Sequence, residues 1–183
     1  KYDWIGMDIR GVGGSIPALR CDANYFNPRR PPNVPSKPAV YRAWLQRAAN
    51  YAQACAHSSG ASLLPHMTTE NIARDAEQVR IALGAPKLSI YGFSYGTYLA
   101  QVYATLFPAN VDRVVMDGVV DPTRVWYASN LDQEVAFNKN INVFFQYLAA
   151  HPRAFKLGRS AKKIRQGYFR KLRQLTRKPL RNF

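Results

Sequence analysis

Hydrophobic and polar residues along this chain follow two rhythms. The runs 88–91 and 111–116 are short and continuously apolar, which predicts strands buried in a parallel sheet. Residues 2–8 read the same way, as a central strand. Elsewhere apolar positions recur every three or four residues. Tyr41, Trp44, Leu45, Ala48, Tyr51, Ala52 and Cys55 define one helical face, which Ser58-Ser-Gly60 ends. A second helix starts at Thr68 or Thr69, carries Glu70 in its first turn, buries Ile72, Ala76, Val79 and Leu83, and stops at Gly84. A third runs over 97–106 and Pro108 closes it. Strands alternating with helices predict an α/β, doubly wound fold with a parallel sheet.

Beyond Asp121-Pro122 the rhythm is helical only. Residues 126–150 place Phe137, Ile141, Phe144, Phe145 and Leu148 at helical spacing, and 161–176 do the same with Ile164, Tyr168, Leu172 and Leu175. This divides the chain into a core segment, 1–122, and the start of a helical cap, 123–183. A partner-binding helical hairpin is the rival reading of the second part. Residues 16–38 are proline-rich and read as an ordered surface excursion.

Composition sharpens this picture in three places. At 183 residues and 47% hydrophobic, the chain can bury one sizeable core. No apolar run approaches membrane-spanning length, so no membrane span is expected. No signal peptide is expected either, because a chain that begins inside a core strand reads as a piece of something longer. The formal charge of +15 is uneven: residues 151–183 hold 12 Lys and Arg and no Asp or Glu. Such a tail can bind nucleic acid or anionic membrane. The plainer expectation, preferred here, is a solvated basic helix at a domain edge, with no specific nucleic acid partner, since no nucleic-acid motif accompanies the charge. Cys21 and Cys55 stand alone without metal-ligand spacing, so no metal is expected. They are either buried thiols or one disulfide; the bridge is favoured, and it implies an oxidising, extracytoplasmic location.

Candidate chemistry gathers at 87–107. Gly92-Phe93-Ser94-Tyr95-Gly96 matches G-x-S-x-G between an apolar strand and an apolar helix. At a strand-to-helix elbow a nucleophile holds strained backbone angles, and neighbours two residues away on either side are expected to lack a Cβ so that the chains can pass closely. The pentapeptide alone fits an ordinary glycine turn with an N-cap serine; its place between strand and helix favours Ser94 as a nucleophile. The N–H of Tyr95, at a helix N-terminus, is then an oxyanion donor. The glycine-rich loop 8–15 fits neither phosphate-binding spacing, and Asp8 and Arg10 are expected to pair locally there. His57 and His66 read as surface or capping histidines.

Five segments in order carry a family resemblance: Asp8-Ile-Arg10-Gly11-Val-Gly13-Gly-Ser15, Leu64-Pro-His66-Met-Thr68-Thr69, Tyr91-Gly-Phe-Ser94-Tyr-Gly-Thr-Tyr98, Gln101-Val-Tyr-Ala-Thr-Leu-Phe-Pro108 and Asp117-Gly-Val-Val-Asp-Pro122. Together they resemble the α/β-hydrolase serine exopeptidases related to prolyl aminopeptidase, and most closely the secreted tripeptidyl aminopeptidases of filamentous actinobacteria. The resemblance implies a partial α/β-hydrolase fold and a secreted or cell-surface bacterial enzyme. It implies a peptide substrate with a free N-terminus, an acyl-enzyme mechanism and no cofactor. Ser94 is the implied nucleophile and the Tyr95 N–H one oxyanion donor. The second donor is expected from a loop ahead of position 1, and the triad acid and base from loops well after the cap. The chain is thus expected to be truncated at both ends and inactive by itself. His151 is the only histidine after Ser94, and Asp117 is a minor candidate acid. Asp132 or Glu134 is a positional guess for holding a substrate ammonium. An esterase on the same fold, and a catalytically degenerate basic interaction protein, are the alternatives.

Overall fold

The two apolar runs that predict strands do pair. In the computed structural model, which describes residues 2–27, 30–178 and 180, β1 (Leu88–Phe93) lies parallel to β2 (Val111–Asp117). Their register sets Phe93 opposite Asp117, so both strands end at one level. That level is where the chain turns from β1 into α3 (Tyr95–Leu106). Two compact units make up the chain, residues 1–120 and 121–183.

In the first unit, α2 (Thr69–Ala82) packs against α3, burying Ile72 and Ala73 on one side and Ala100 and Tyr103 on the other. The Thr68 hydroxyl caps α2 by accepting from the N–H of Asn71 at 3.2 Å. Gly84 then takes φ +62°, the left-handed conformation that ends many helices. The buried face of α2 is not quite the predicted one. Leu83 is exposed, and Glu77 occupies the interior instead. The reason is polar pairing. Glu77 accepts from Arg80 Nε at 2.9 Å and Nη2 at 2.6 Å, from Tyr103 Oη at 2.7 Å and from Asn110 Nδ2 at 2.9 Å. Four donors on one carboxylate make its burial affordable.

Three further expectations are corrected. Residues 2–8 form no strand. They run beside β1, with Trp4 edge-on to Tyr91 at 6.4 Å and the Tyr2 hydroxyl accepting from Arg113 at 3.1 Å, but they share no ladder with it. An apolar run becomes a parallel strand only where backbone partners and cover on both faces exist, and Trp4 is 80% exposed. The helix expected from Tyr41 begins earlier, as α1 (Pro38–Ala56), because Pro38 fits a first helical position. None of its residues is buried. Its apolar face meets the proline-rich excursion: Trp44 Nε1 donates to the Pro32 carbonyl at 2.9 Å, and Tyr51 lies 4.5 Å from Tyr25. A disulfide joins Cys21 to Cys55, fastening the excursion to α1. Closing a loop of that size contributes roughly 3–4 kcal/mol in the chain-entropy picture. Finally, Asp8 and Arg10 do not pair. Asp8 accepts from the N–H of Gly14 at 2.8 Å, while Arg10 reaches Asp75.

The second unit holds α4 (Tyr127–Ala150), the short α5 (Pro152–Phe155) and α6 (Ala161–Arg177). Phe145, Leu148 and Ile164 form its core, with Ile141, Ala149, Ala161 and Phe169 packed around them. The Ser160 hydroxyl caps α6, accepting from Lys163 N–H at 3.4 Å. No described helix is long and apolar enough to cross a membrane.

Candidate active site

Ser94 sits between β1 and α3 with φ +51° and ψ −118°. A non-glycine residue there costs on the order of 1–3 kcal/mol and persists only where its surroundings enforce it. Here the enforcement is visible. The N–H of Ser94 donates to the Asp117 carbonyl at 2.9 Å, so the turn is held by the end of β2. The Ser94 carbonyl accepts from the N–H of Thr97 at 2.9 Å and from its hydroxyl at 2.7 Å. That same hydroxyl accepts from Val120 N–H at 3.0 Å. Gln101 Nε2 completes the fastening, donating to the Val120 carbonyl at 3.0 Å and the Thr97 carbonyl at 3.2 Å. Thr97 is 0% exposed, so the bonds its hydroxyl makes are partly shielded from competing water.

The two glycines of the pentapeptide are not equivalent. A Cβ on Gly92 would stand 2.5 Å from the Gly96 carbonyl oxygen and 3.0 Å from Thr97 N, which backbone cannot evade. A Cβ on Gly96 would meet nothing within 4 Å. The steric expectation therefore holds for Gly92 and is corrected for Gly96, whose position opens onto a groove of about 1090 Å³ beside β1.

Tyr95 opens α3, placing its N–H in the first turn, where the helix dipole favours negative charge. Its side chain reaches back to α2, with the Tyr95 and Thr69 hydroxyls 3.1 Å apart. Behind this, Arg10 grips Asp75 through Nε at 2.7 Å and Nη2 at 2.6 Å and donates to the carbonyls of His66 and Asn71. The aspartate raises the arginine above its ordinary range, chiefly through those hydrogen bonds. The forked pair ties the loop after residues 2–8 to the middle of α2. Asp117 accepts from the Tyr91 hydroxyl at 3.4 Å.

Among the described residues, no hydrogen bond joins Ser94 Oγ to a histidine. His57 and His151 each lie at a helix C-cap with Nδ1 against the carbonyl four residues back, Gln53 at 2.8 Å and Tyr147 at 2.9 Å. His151 also stacks on Tyr147 at 4.3 Å. Asp132 is engaged by Arg124 through two hydrogen bonds, 2.6 and 3.1 Å. No group of His, Cys, Asp and Glu among the described residues could hold a metal ion. Sequence reasoning quoted Thr97 and Gln101 within motifs but gave them no role. The available signal was a threonine three residues after the N-cap serine, where a hydroxyl can bond back to the N-cap carbonyl.

The chain is 43% identical to a tripeptidyl aminopeptidase of Streptomyces lividans over 183 residues, covering 98% of this chain and 34% of that protein. It is 34% identical over 180 residues to a carboxylesterase B of Mycobacterium tuberculosis, covering 97% of this chain and 34% of the relative. It is 33% identical over 144 residues to the serine protease Hip1 of Mycobacterium tuberculosis, covering 78% and 28%. The chain thus spans about a third of the length of the curated relatives it matches. Residues 1–182 match the family model for the alpha/beta hydrolase fold, and with the strand–elbow–helix built around Ser94 the chain belongs to the α/β-hydrolase family.

Proposed function

We propose that this chain carries the nucleophile segment of a serine aminopeptidase that releases short peptides, tripeptides foremost, from free N-termini. The observation that carries the reading is the backbone of Ser94, held at φ +51° between β1 and α3 by the Asp117 carbonyl and the Thr97 hydroxyl. Such strain, enforced from several sides, is expected where a side chain must be lifted out of the fold for chemistry. The 43% identity to a tripeptidyl aminopeptidase supports the peptide substrate.

In this reading a histidine takes the Ser94 proton and the Ser94 oxygen attacks the scissile carbonyl. The Tyr95 N–H stabilises the oxyanion at the start of α3. Collapse of that oxyanion intermediate breaks the scissile C–N bond, the histidine giving its proton to the departing amine. Water then releases the peptide from the acyl-enzyme. Histidine and acid come from the remainder of the protein, and so does the second oxyanion donor, the loss of which typically costs a hundred- to thousandfold in rate. Residues 123–183 are read as the start of a helical cap. The Cys21–Cys55 bridge supports an extracytoplasmic location.

A second reading, an esterase on the same fold, is favoured by the likeness to a carboxylesterase B. One assay set separates them. A fluorophosphonate probe is expected to label the full-length protein and not its Ser94→Ala variant. Tripeptidyl amides with a free amino terminus are expected to be cleaved, and their N-acetylated forms spared. Ester turnover that ignores the free amine would establish the esterase instead. No labelling at all would sink both readings and leave the catalytically degenerate interaction protein.

A further inference from the structure

We propose that α6 is a docking surface for an anionic phospholipid bilayer. This surface is independent of the chemistry at Ser94. Ile164, Tyr168, Leu172 and Leu175 recur at helical spacing and form one stripe along α6. Only Ile164, at the start of that stripe, is buried, packing with Phe145 and Leu148. The Tyr168 ring lies 5.6 Å from Phe145, yet Tyr168 is 46% exposed, and from there on the stripe faces solvent. Leu172 is 47% and Leu175 37% exposed, although both continue the same line.

The rest of the helix surface is cationic. Lys171 borders the leucines, and Arg170, Arg173 and Arg177 cover the opposite face. Residues 151–183 supply no carboxylate to neutralise them. Among the described residues every ion pair lies elsewhere: Arg10–Asp75, Arg74–Glu70, Arg80–Glu77, Arg113–Asp112 and Arg124–Asp132. A helix that joins exposed leucines to an unneutralised arginine and lysine arc matches the boundary between phosphate headgroups and acyl chains. The apolar stripe enters that boundary, and the long basic side chains lie along it with their charges at the phosphates. Nucleic acid would satisfy only the charge, through phosphate contacts, and would leave the leucines in water. No described helix is long and apolar enough to span a bilayer, and the proposed association uses the surface of α6 alone.

The test is co-sedimentation of the purified protein with vesicles of phosphatidylcholine alone or mixed with phosphatidylglycerol. Each basic residue at an anionic surface contributes roughly 1 kcal/mol, or about fivefold in affinity. The mixed vesicles are therefore expected to bind at least about tenfold tighter than the neutral ones. Lys171→Gln, Arg173→Gln and Arg177→Gln together are expected to remove most of that preference. Leu172→Gln with Leu175→Gln is expected to weaken binding severalfold at unchanged charge. All five positions are exposed and glutamine is a good helix former, so circular dichroism should stay unchanged. Equal binding to both vesicle types, or to neither, would overturn the proposal. So would a leucine double variant that binds as tightly as the parent, especially if duplex DNA competes fully, because the surface would then read charge alone.

Discussion

The two units of this chain are held together by different physics. Around Ser94 the decisive contacts are polar and directional. One threonine hydroxyl, one glutamine amide and one backbone carbonyl of β2 hold the elbow, and a buried carboxylate with four donors joins α2 to α3. Between α4 and α6 the contacts are apolar, from Phe145, Leu148 and Ile164 with their neighbours, and the charges stay outside. A strained backbone angle needs partners in fixed directions, because close packing alone tolerates repacking. A helical pair needs only matching apolar stripes. The difference teaches where this molecule requires geometric accuracy and where it requires only adhesion.

The comparison can be broken most forcefully in the second unit. Phe145→Ala removes the largest member of a small cluster and is expected to cost about 3–5 kcal/mol. Amide hydrogen exchange should rise along α4 and α6, while the amide of Thr97 stays protected. Equal acceleration at Thr97 would mean that one cooperative core, and not two kinds of packing, holds the chain. A smaller effect is expected at the elbow. Gly92→Ala drives a methyl into the Gly96 carbonyl and is expected to cost about 1–3 kcal/mol. Gly96→Ala meets open space inside α3 and is expected to gain roughly 0.5–1 kcal/mol from helix propensity. Thermal denaturation of the pair checks the asymmetry; equal destabilisation would show that the elbow depends on both glycines.

The mildest test is pH. Hydrogen bonds from Arg80, reinforced by Tyr103 and Asn110 against the opposing effect of burial, push Glu77 down from 4.5 to about 2. Its contribution is complete above the ordinary carboxylate value and is lost as pH falls from about 4.5 towards about 2. Burial, with Glu77 as a further cause, pushes Tyr103 up from 10.0 to about 12. Its contribution is complete below pH 10.0 and is lost as pH rises through about 12. Exchange protection in α2 and α3 should therefore be flat between these limits and fall outside them. The α4–α6 core contains no carboxylate and should show no matching acid step. A Glu77→Gln variant that keeps the wild-type acid profile would remove the assigned cause.

Much of this protein can be read from one dimension. The parallel strands around 88–93 and 111–117, the helices that follow them and the elbow at Ser94 are local patterns. Apolar continuity, helical spacing and glycine placement report them directly. The charge imbalance of 151–183 is equally local. Only the tertiary structure decided which apolar faces were covered. It left α1 without a buried residue, turned Leu83 outward and brought Glu77 in, and gave residues 2–8 no ladder. It also chose partners distant in sequence, Asp75 over Asp8 for Arg10 and Val120 for Thr97 and Gln101. The physical reason is that periodicity says which side of an element is apolar. Whether that side is buried, and which polar group answers a buried donor, depends on what the rest of the chain brings beside it.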